Sequence, residues 1–181
     1  MLLLFGVALL VLAIGVVVLF AMLGELASRV PRPESREGWV QPLEEARLGH
    51  APDVWPAELF DVARAPRSVL LVLSTVCRSC ETVATQLITD QADWAEVALL
   101  VSSATQDRGH GFIAEYRLGR YAHYVDEGGD WVSDEFDVRT SPTALVFHHG
   151  RLASAYAFSD VARLRSEVDD TTRGRDQKEA V

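Results

Sequence analysis

A continuously apolar run at residues 68–74 (SVLLVLS) leads within three residues to Cys77-Arg78-Ser79-Cys80, which holds the only two cysteines of the chain. An unbroken apolar stretch of that length suits a central strand buried on both faces of a sheet. After the cysteines the period changes. Cys80, Val83, Ala84, Leu87 and Ile88 recur at helical spacing, which predicts a helix with Cys80 on its buried stripe and Cys77 at its exposed mouth. A helix N-terminus stabilises an anion, and the thiolate is the reactive form of a thiol, so Cys77 is expected to be the acidic, attacking sulfur. Cys80, one turn inward, is placed to resolve a mixed disulfide. Two other readings stay open: inert structural thiols, or half of a zinc site. Zinc normally takes four ligands, and the histidines supply no second pair at finger-like spacing, so no metal is expected.

Other periodic segments surround this junction. Residues 97–102 (VALLVS) predict a second buried strand, and Phe112, Ile113 and Tyr116 a helix packed after it. Strand, helix and strand in that order make a parallel crossover. Residues 143–147 (TALVF) and 152–157 (LASAYA) flank His148-His149-Gly150-Arg151, which predicts a β-hairpin closing the sheet. Ser159 or Asp160 can cap a last helix carrying Val161, Leu164 and Val168. The pair His148-His149 reads as turn decoration, residues 126–130 (DEGGD) as a turn without EF-hand spacing, and Trp55, Trp94, Trp131 and Phe136 as core or rim aromatics.

The chain opens with an uncharged apolar stretch, residues 1–23, ending at Gly24-Glu25. It is long enough to span a bilayer, longer than the apolar part of a signal peptide, and lacks a basic flank before it. A retained single-pass anchor is therefore expected, with a cleaved signal or a buried soluble helix as alternatives. Residues 24–50 mix prolines, charges and glycines and read as a linker. Residues 51–169 read as the folded domain, and 170–181 as a polar, disordered tail. A net charge of −9, with the arginines scattered among acids, excludes a nucleic-acid partner.

The order of these elements resembles the thioredoxin fold over residues 49–169, an α/β class, here with one N-terminal transmembrane helix. In Gly49-His-Ala-Pro-Asp53, the Ala-Pro-Asp resembles that of the Gly-x-x-Ala-Pro-Asp segment of the membrane-anchored TlpA/ResA-like thioredoxins and of peroxiredoxins, with one residue fewer after the glycine. Phe136-Asp-Val-Arg-Thr-Ser-Pro-Thr143 resembles the segment that carries the thioredoxin cis-proline. The opening, with its anchor and Gly24-Glu-Leu-Ala-Ser-Arg-Val30, is similar to accessory thioredoxins of methylamine utilisation (MauD-like).

The resemblance implies a thiol–disulfide oxidoreductase acting through Cys77 and Cys80 on protein thiols or disulfides, with no cofactor. It also implies a cis Ser141–Pro142 bond whose backbone binds an extended substrate. Arg78 is expected to tune the Cys77 thiolate electrostatically. Leu71 stands where thioredoxins carry a buried acid, and Val83 where ResA-like proteins carry a glutamate, which leaves the proton-handling partner unidentified. Neither the client nor the redox partner can be named. A peroxiredoxin-like peroxidase is an alternative, although its Pro-x-x-x-Thr-x-x-Cys signature reads Leu70 and Ser74 here. A non-catalytic thioredoxin-fold membrane adaptor is another. Arg29, Arg32 and Arg36 favour a cytoplasmic domain by the positive-inside rule, whereas disulfide traffic favours the outside. The expectation is a cell-membrane protein with an extracytoplasmic domain, because interleaved glutamates weaken the arginine signal and long domains translocate largely regardless of charge.

Overall fold

The computed structural model describes residues 38–89 and 97–179, together with Gly6; for 172–179 it describes the backbone alone. The expected membrane anchor, the first part of the linker and Trp94 lie outside the described residues. Among the described residues no helix is long and apolar enough to cross a membrane.

Among the described residues six strands form one sheet in the order β1-β6-β5-β2-β3-β4: β1 Val40–Pro42, β2 Arg67–Ser74, β3 Val97–Ser103, β4 Ala122–Glu127, β5 Thr143–His148 and β6 Arg151–Phe158. The helices are α1 Phe60–Arg64, α2 Arg78–Thr89, α3 Gln106–Glu115, α4 Asp130–Phe136 and α5 Val161–Glu179. β2, β3 and β4 run parallel, β5 adds antiparallel to β2, and β6 adds antiparallel to β5. Parallel neighbours need a crossover, which α2 and α3 supply.

Side chains alternate along β2, and each alternate set finds its own core. Val69, Leu71 and Leu73 pack with Cys80, Val83 and Leu87 of α2, Phe112 of α3, and Leu164 and Val168 of α5. Leu70 and Val72 face the other way, onto Leu59, Val62 of α1, and Val132 and Phe136 of α4. Both sides of β2 are therefore wholly covered, which is why its sequence is apolar without interruption. The β5–β6 hairpin turns through His149 and Gly150, with φ of 50° and 71°, the two left-handed positions of a tight hairpin turn. A Cβ at position 150 would stand 2.7 Å from the Ala63 carbonyl oxygen, so glycine is needed there for space as well as for φ.

Three expectations need correction. First, the folded unit begins before residue 51. β1 pairs with β6, Leu43 N–H donates to the Ala155 carbonyl, and Gly49 N–H to that of Leu152. Residues 40–50 are thus attached along β6 by backbone bonds that carry no side-chain period. Second, α5 runs through Glu179 rather than giving way at Asp170. The Arg67 guanidinium donates to the Val168 carbonyl, and the Tyr156 and Thr171 hydroxyls are bonded, which holds the helix beyond its last apolar residue. Third, Ile88 is exposed at 38%, off the buried stripe of α2. The helix ends one residue later, at Thr89, and its last buried residue is Leu87.

Candidate functional site: a dithiol at the carboxyl ends of the central strands

β2 ends at Ser74, the chain turns through Thr75 and Val76, and α2 starts at Arg78. Cys77 thus occupies the helix cap. Its N–H donates to the Ser74 carbonyl, and its own carbonyl accepts from the N–H groups of Cys80 and Glu81. Its sulfur also accepts the Cys80 N–H at 3.4 Å, the bond that a serine or aspartate oxygen makes at an ordinary N-cap. Both cysteines are free thiols, Cys77 half-buried and Cys80 wholly buried.

Cys77 Sγ donates to the Ser141 carbonyl oxygen at 3.3 Å, across 64 residues of sequence. The Ser141–Pro142 peptide is cis, and Pro142 immediately precedes β5. The loop is braced from below: the Thr143 hydroxyl donates to the Thr140 carbonyl at 2.8 Å. The two sequence motifs, Cys-x-x-Cys and Ser-Pro-Thr, therefore meet in space because β2 and β5 are adjacent strands with Val72 opposite Thr143.

The two thiols sit in different surroundings. Burial, followed by the hydrogen bond with Cys77, pushes the Cys80 thiol from 9.0 up to about 12, against smaller opposing contributions from Ser141 and the Ser74 backbone. Leu71 and Val83, the positions at which the resemblance places a carboxylate in related proteins, are fully buried in the same apolar cluster as Cys80. Arg78 is exposed at the first position of α2 and makes no ion pair among the described residues. Val76 is 79% exposed, so the cysteine mouth carries an apolar group on its outer side.

Sequence reasoning missed a cleft of about 240 Å³ next to this dithiol. Ser141 separates the two: its carbonyl contacts Cys77, and the residue also lines the cleft. The walls are the ends of β2 and β3 (Ser74, Ser102), the Gly128–Gly129 turn, and Ser133 on α4. The turn is set by Asp126, 2% exposed, whose carboxylate accepts the N–H groups of Trp131 at 3.2 Å and Val132 at 3.0 Å. Burial pushes this carboxyl above its ordinary value, partly offset by those two bonds. Gly129 has φ 77°, and a Cβ there would come within 2.7 Å of Ser102 Oγ. Of the acidic stretch 126–130, expected to be a turn, only Gly128 and Gly129 turn: Asp126 and Glu127 end β4, Asp130 starts α4, and Asp126 is a buried helix anchor.

No protein-family model matches the sequence, and no curated protein matches it. Solved structures do. A Neisseria meningitidis protein named as a thioredoxin aligns at 15% identity and TM-score 0.54 over 70% of this chain and 91% of its own. A Chlorobium tepidum protein named as a thiol:disulfide interchange protein DsbE aligns at 15% identity and TM-score 0.54 over 72% and 97%. A Bacteroides thetaiotaomicron protein named as a protein disulfide isomerase aligns at 15% and 0.51 over 70% and 88%. Likeness at this identity speaks for architecture, and the architecture of this chain is the mixed α/β thioredoxin-like fold.

Proposed function

We propose that this chain is a thiol–disulfide oxidoreductase that exchanges disulfides with protein clients through Cys77 and Cys80. The observation that carries the reading is the asymmetric pair. One sulfur is accessible at a helix cap and within 3.3 Å of the Ser141 carbonyl, and the other is buried one turn behind it. In the reducing direction, the Cys77 thiolate attacks one sulfur of a client disulfide. A Cys77–client bond forms, the client S–S bond breaks, and the departing thiolate takes a proton. Cys80 then loses its proton and attacks Cys77 Sγ, releasing the second client thiol and leaving a Cys77–Cys80 disulfide. Two electrons and two protons have passed to the client. The Thr140–Ser141 backbone and Pro142 hold the client segment. The names of the structural relatives, a thioredoxin and a disulfide interchange protein, support the same reading.

The reduced full chain should accelerate insulin reduction by dithiothreitol and leave peroxide untouched. Cys77→Ser should abolish exchange, and Cys80→Ser should retain a client-linked adduct that dithiothreitol releases, because the releasing sulfur is gone. Peroxide consumption dependent on Cys77 would replace the reading with a peroxidase, and inactivity in both assays would replace it with a binding adaptor.

The finer reading is a TlpA/ResA-type protein with residues 1–23 as a single-pass membrane anchor and the dithiol outside the cytoplasm. It rests on the length and charge of the apolar stretch and on the need for disulfide traffic in an oxidising compartment. A membrane-impermeant maleimide should label Cys77 in intact, pre-reduced cells. Labelling that appears only after lysis would reverse the orientation.

A further inference from the structure

The cleft beside Ser141 takes no part in the sulfur exchange itself, yet Ser141, whose carbonyl contacts the reacting sulfur, is one of its walls. Cys77 and Cys80 belong to the α2 face of the sheet, whereas the floor of the cleft (Val72, Val132, Val138) belongs to the α4 face. Ser141, at the end of the sheet, touches both sides. Building on the exchange reading, we infer that this cleft is a specificity pocket for the residue next to the client cysteine, and that it selects a neutral hydrogen-bonding side chain of the carboxamide type.

The geometry follows from extended backbone. Successive side chains of a strand point to opposite faces. A client segment lying across Ser141 with its cysteine turned to Cys77 therefore turns the adjoining residue toward the α4 face, where the cleft is. The volume, about 240 Å³, is below the roughly 300–1,000 Å³ of pockets that enclose whole small ligands and suits a single long side chain.

The lining decides the chemistry. Buried valines form the floor and can take the methylenes of a side chain. Ser74, Ser102, Ser133 and Thr140 line the wall; the Ser74 hydroxyl already accepts the Val76 N–H and that of Thr140 is bonded to Thr143 Oγ1, and a hydroxyl can both donate and accept. Asp130 and Arg139 bring one charge of each sign, both on exposed residues, and Arg139 already lies 3.6 Å from Asp137. No net charge thus favours an ion, which would lose hydration on entering. An apolar side chain would desolvate the hydroxyls without replacing their water. A carboxamide offers both a donor and an acceptor and carries no charge. The turn glycines keep the pocket open: a side chain at position 129 would collide with Ser102.

The test uses the reduced full chain and a panel of short peptides, each with one cysteine held as a disulfide to an identical second peptide. The residue before or after the cysteine is Gln, Glu, Lys, Leu or Ala. Rates of peptide-disulfide reduction are read by stopped flow. The Gln peptide should react about tenfold faster than the Leu and Ala peptides, the factor expected from roughly one net hydrogen bond. In Ser133→Phe, which fills the cleft, the Gln-to-Ala ratio should fall to about one. Ser102→Ala, a smaller change safe for folding, should lower that ratio by several-fold. Equal rates across the panel, or a Leu, Glu or Lys peptide reacting fastest, would overturn the pocket while leaving exchange intact. Reduction of none of the peptides would overturn exchange itself.

Discussion

At the scale of single residues, the two thiols differ by what surrounds them rather than by chemistry. Cys77 meets solvent and a carbonyl, and Cys80 is buried in a cluster of leucine and valine side chains with Cys77 as its hydrogen-bond partner. Holding Cys80 neutral up to about pH 12 has a consequence for stability whose sign is definite. In the unfolded chain the thiol ionises near 9, so between 9 and 12 the unfolded state has lost a proton that the folded state keeps. Stability attributable to Cys80 is then whole below pH 9 and drains away as pH rises toward 12, at up to about 1.4 kcal/mol per pH unit. The reduced wild type and the Cys80→Ser variant, compared by urea midpoint at pH 8 and pH 11, should show a larger alkaline loss in the wild type. An equal loss in the two proteins would mean that Cys80 is not held neutral by its surroundings. The same burial makes release of a mixed disulfide depend on removing the Cys80 proton. With Leu71 and Val83 apolar, neither of these two positions supplies the base.

Among the elements, α4 shows how a seven-residue helix is held in place. It follows a Gly-Gly turn, and Asp126 accepts its first free N–H groups from below while Val132 and Phe136 pack under the sheet. Asp126→Ala removes both bonds and leaves two donors facing a buried space. A loss of about 2–3 kcal/mol is expected in denaturant unfolding, together with a fall in the side-chain selectivity of the adjoining cleft. A loss below about 0.5 kcal/mol would show that the turn holds itself. The elements also differ in how far their sequences announce them. β2 and α2 were legible because one is buried on both faces and the other on a clean stripe, and burial is what periodicity reports. β4 was not, because as an edge strand it buries only Val125 and Asp126 among Ala122, His123, Tyr124 and Glu127. α4 and β1 are too short to show a period. The site divides along the same line. Cys77, Cys80, Ser141 and Pro142 stand in two contiguous motifs, whereas Ser74, Ser102, Gly129 and Ser133 become neighbours only through strand order and turn geometry.

For the molecule as a whole, the boundary of the folded unit matters most, because it decides where the domain can be cut from whatever precedes it. Residues 37–181 cluster as one unit, and the sheet is complete only with β1. Val40 stands opposite Phe158, Trp39 N–H donates to Ser159 Oγ, and Ser159 N–H returns a bond to the Trp39 carbonyl. These contacts cover the outer edge of β6, a strand that buries Ala155, Tyr156 and Phe158. A chain starting at Gly38 should therefore fold cooperatively with the urea midpoint of its own sheet. One starting at Ala46 should lose about 3 kcal/mol, roughly the worth of the few backbone bonds removed, and should associate through the uncovered edge of β6. Urea unfolding followed by circular dichroism, with light scattering on the folded samples, distinguishes the two cuts. Equal midpoints and equal scattering would mean that β1 is an ornament of the sheet and that the fold begins near residue 50. A lower midpoint without association would keep β1 in the fold while removing its role as a guard against edge pairing. The dithiol lies two strands inward from that edge, so thiol reactivity at Cys77 in the shorter chain should follow its folded fraction, measured at the same urea concentrations.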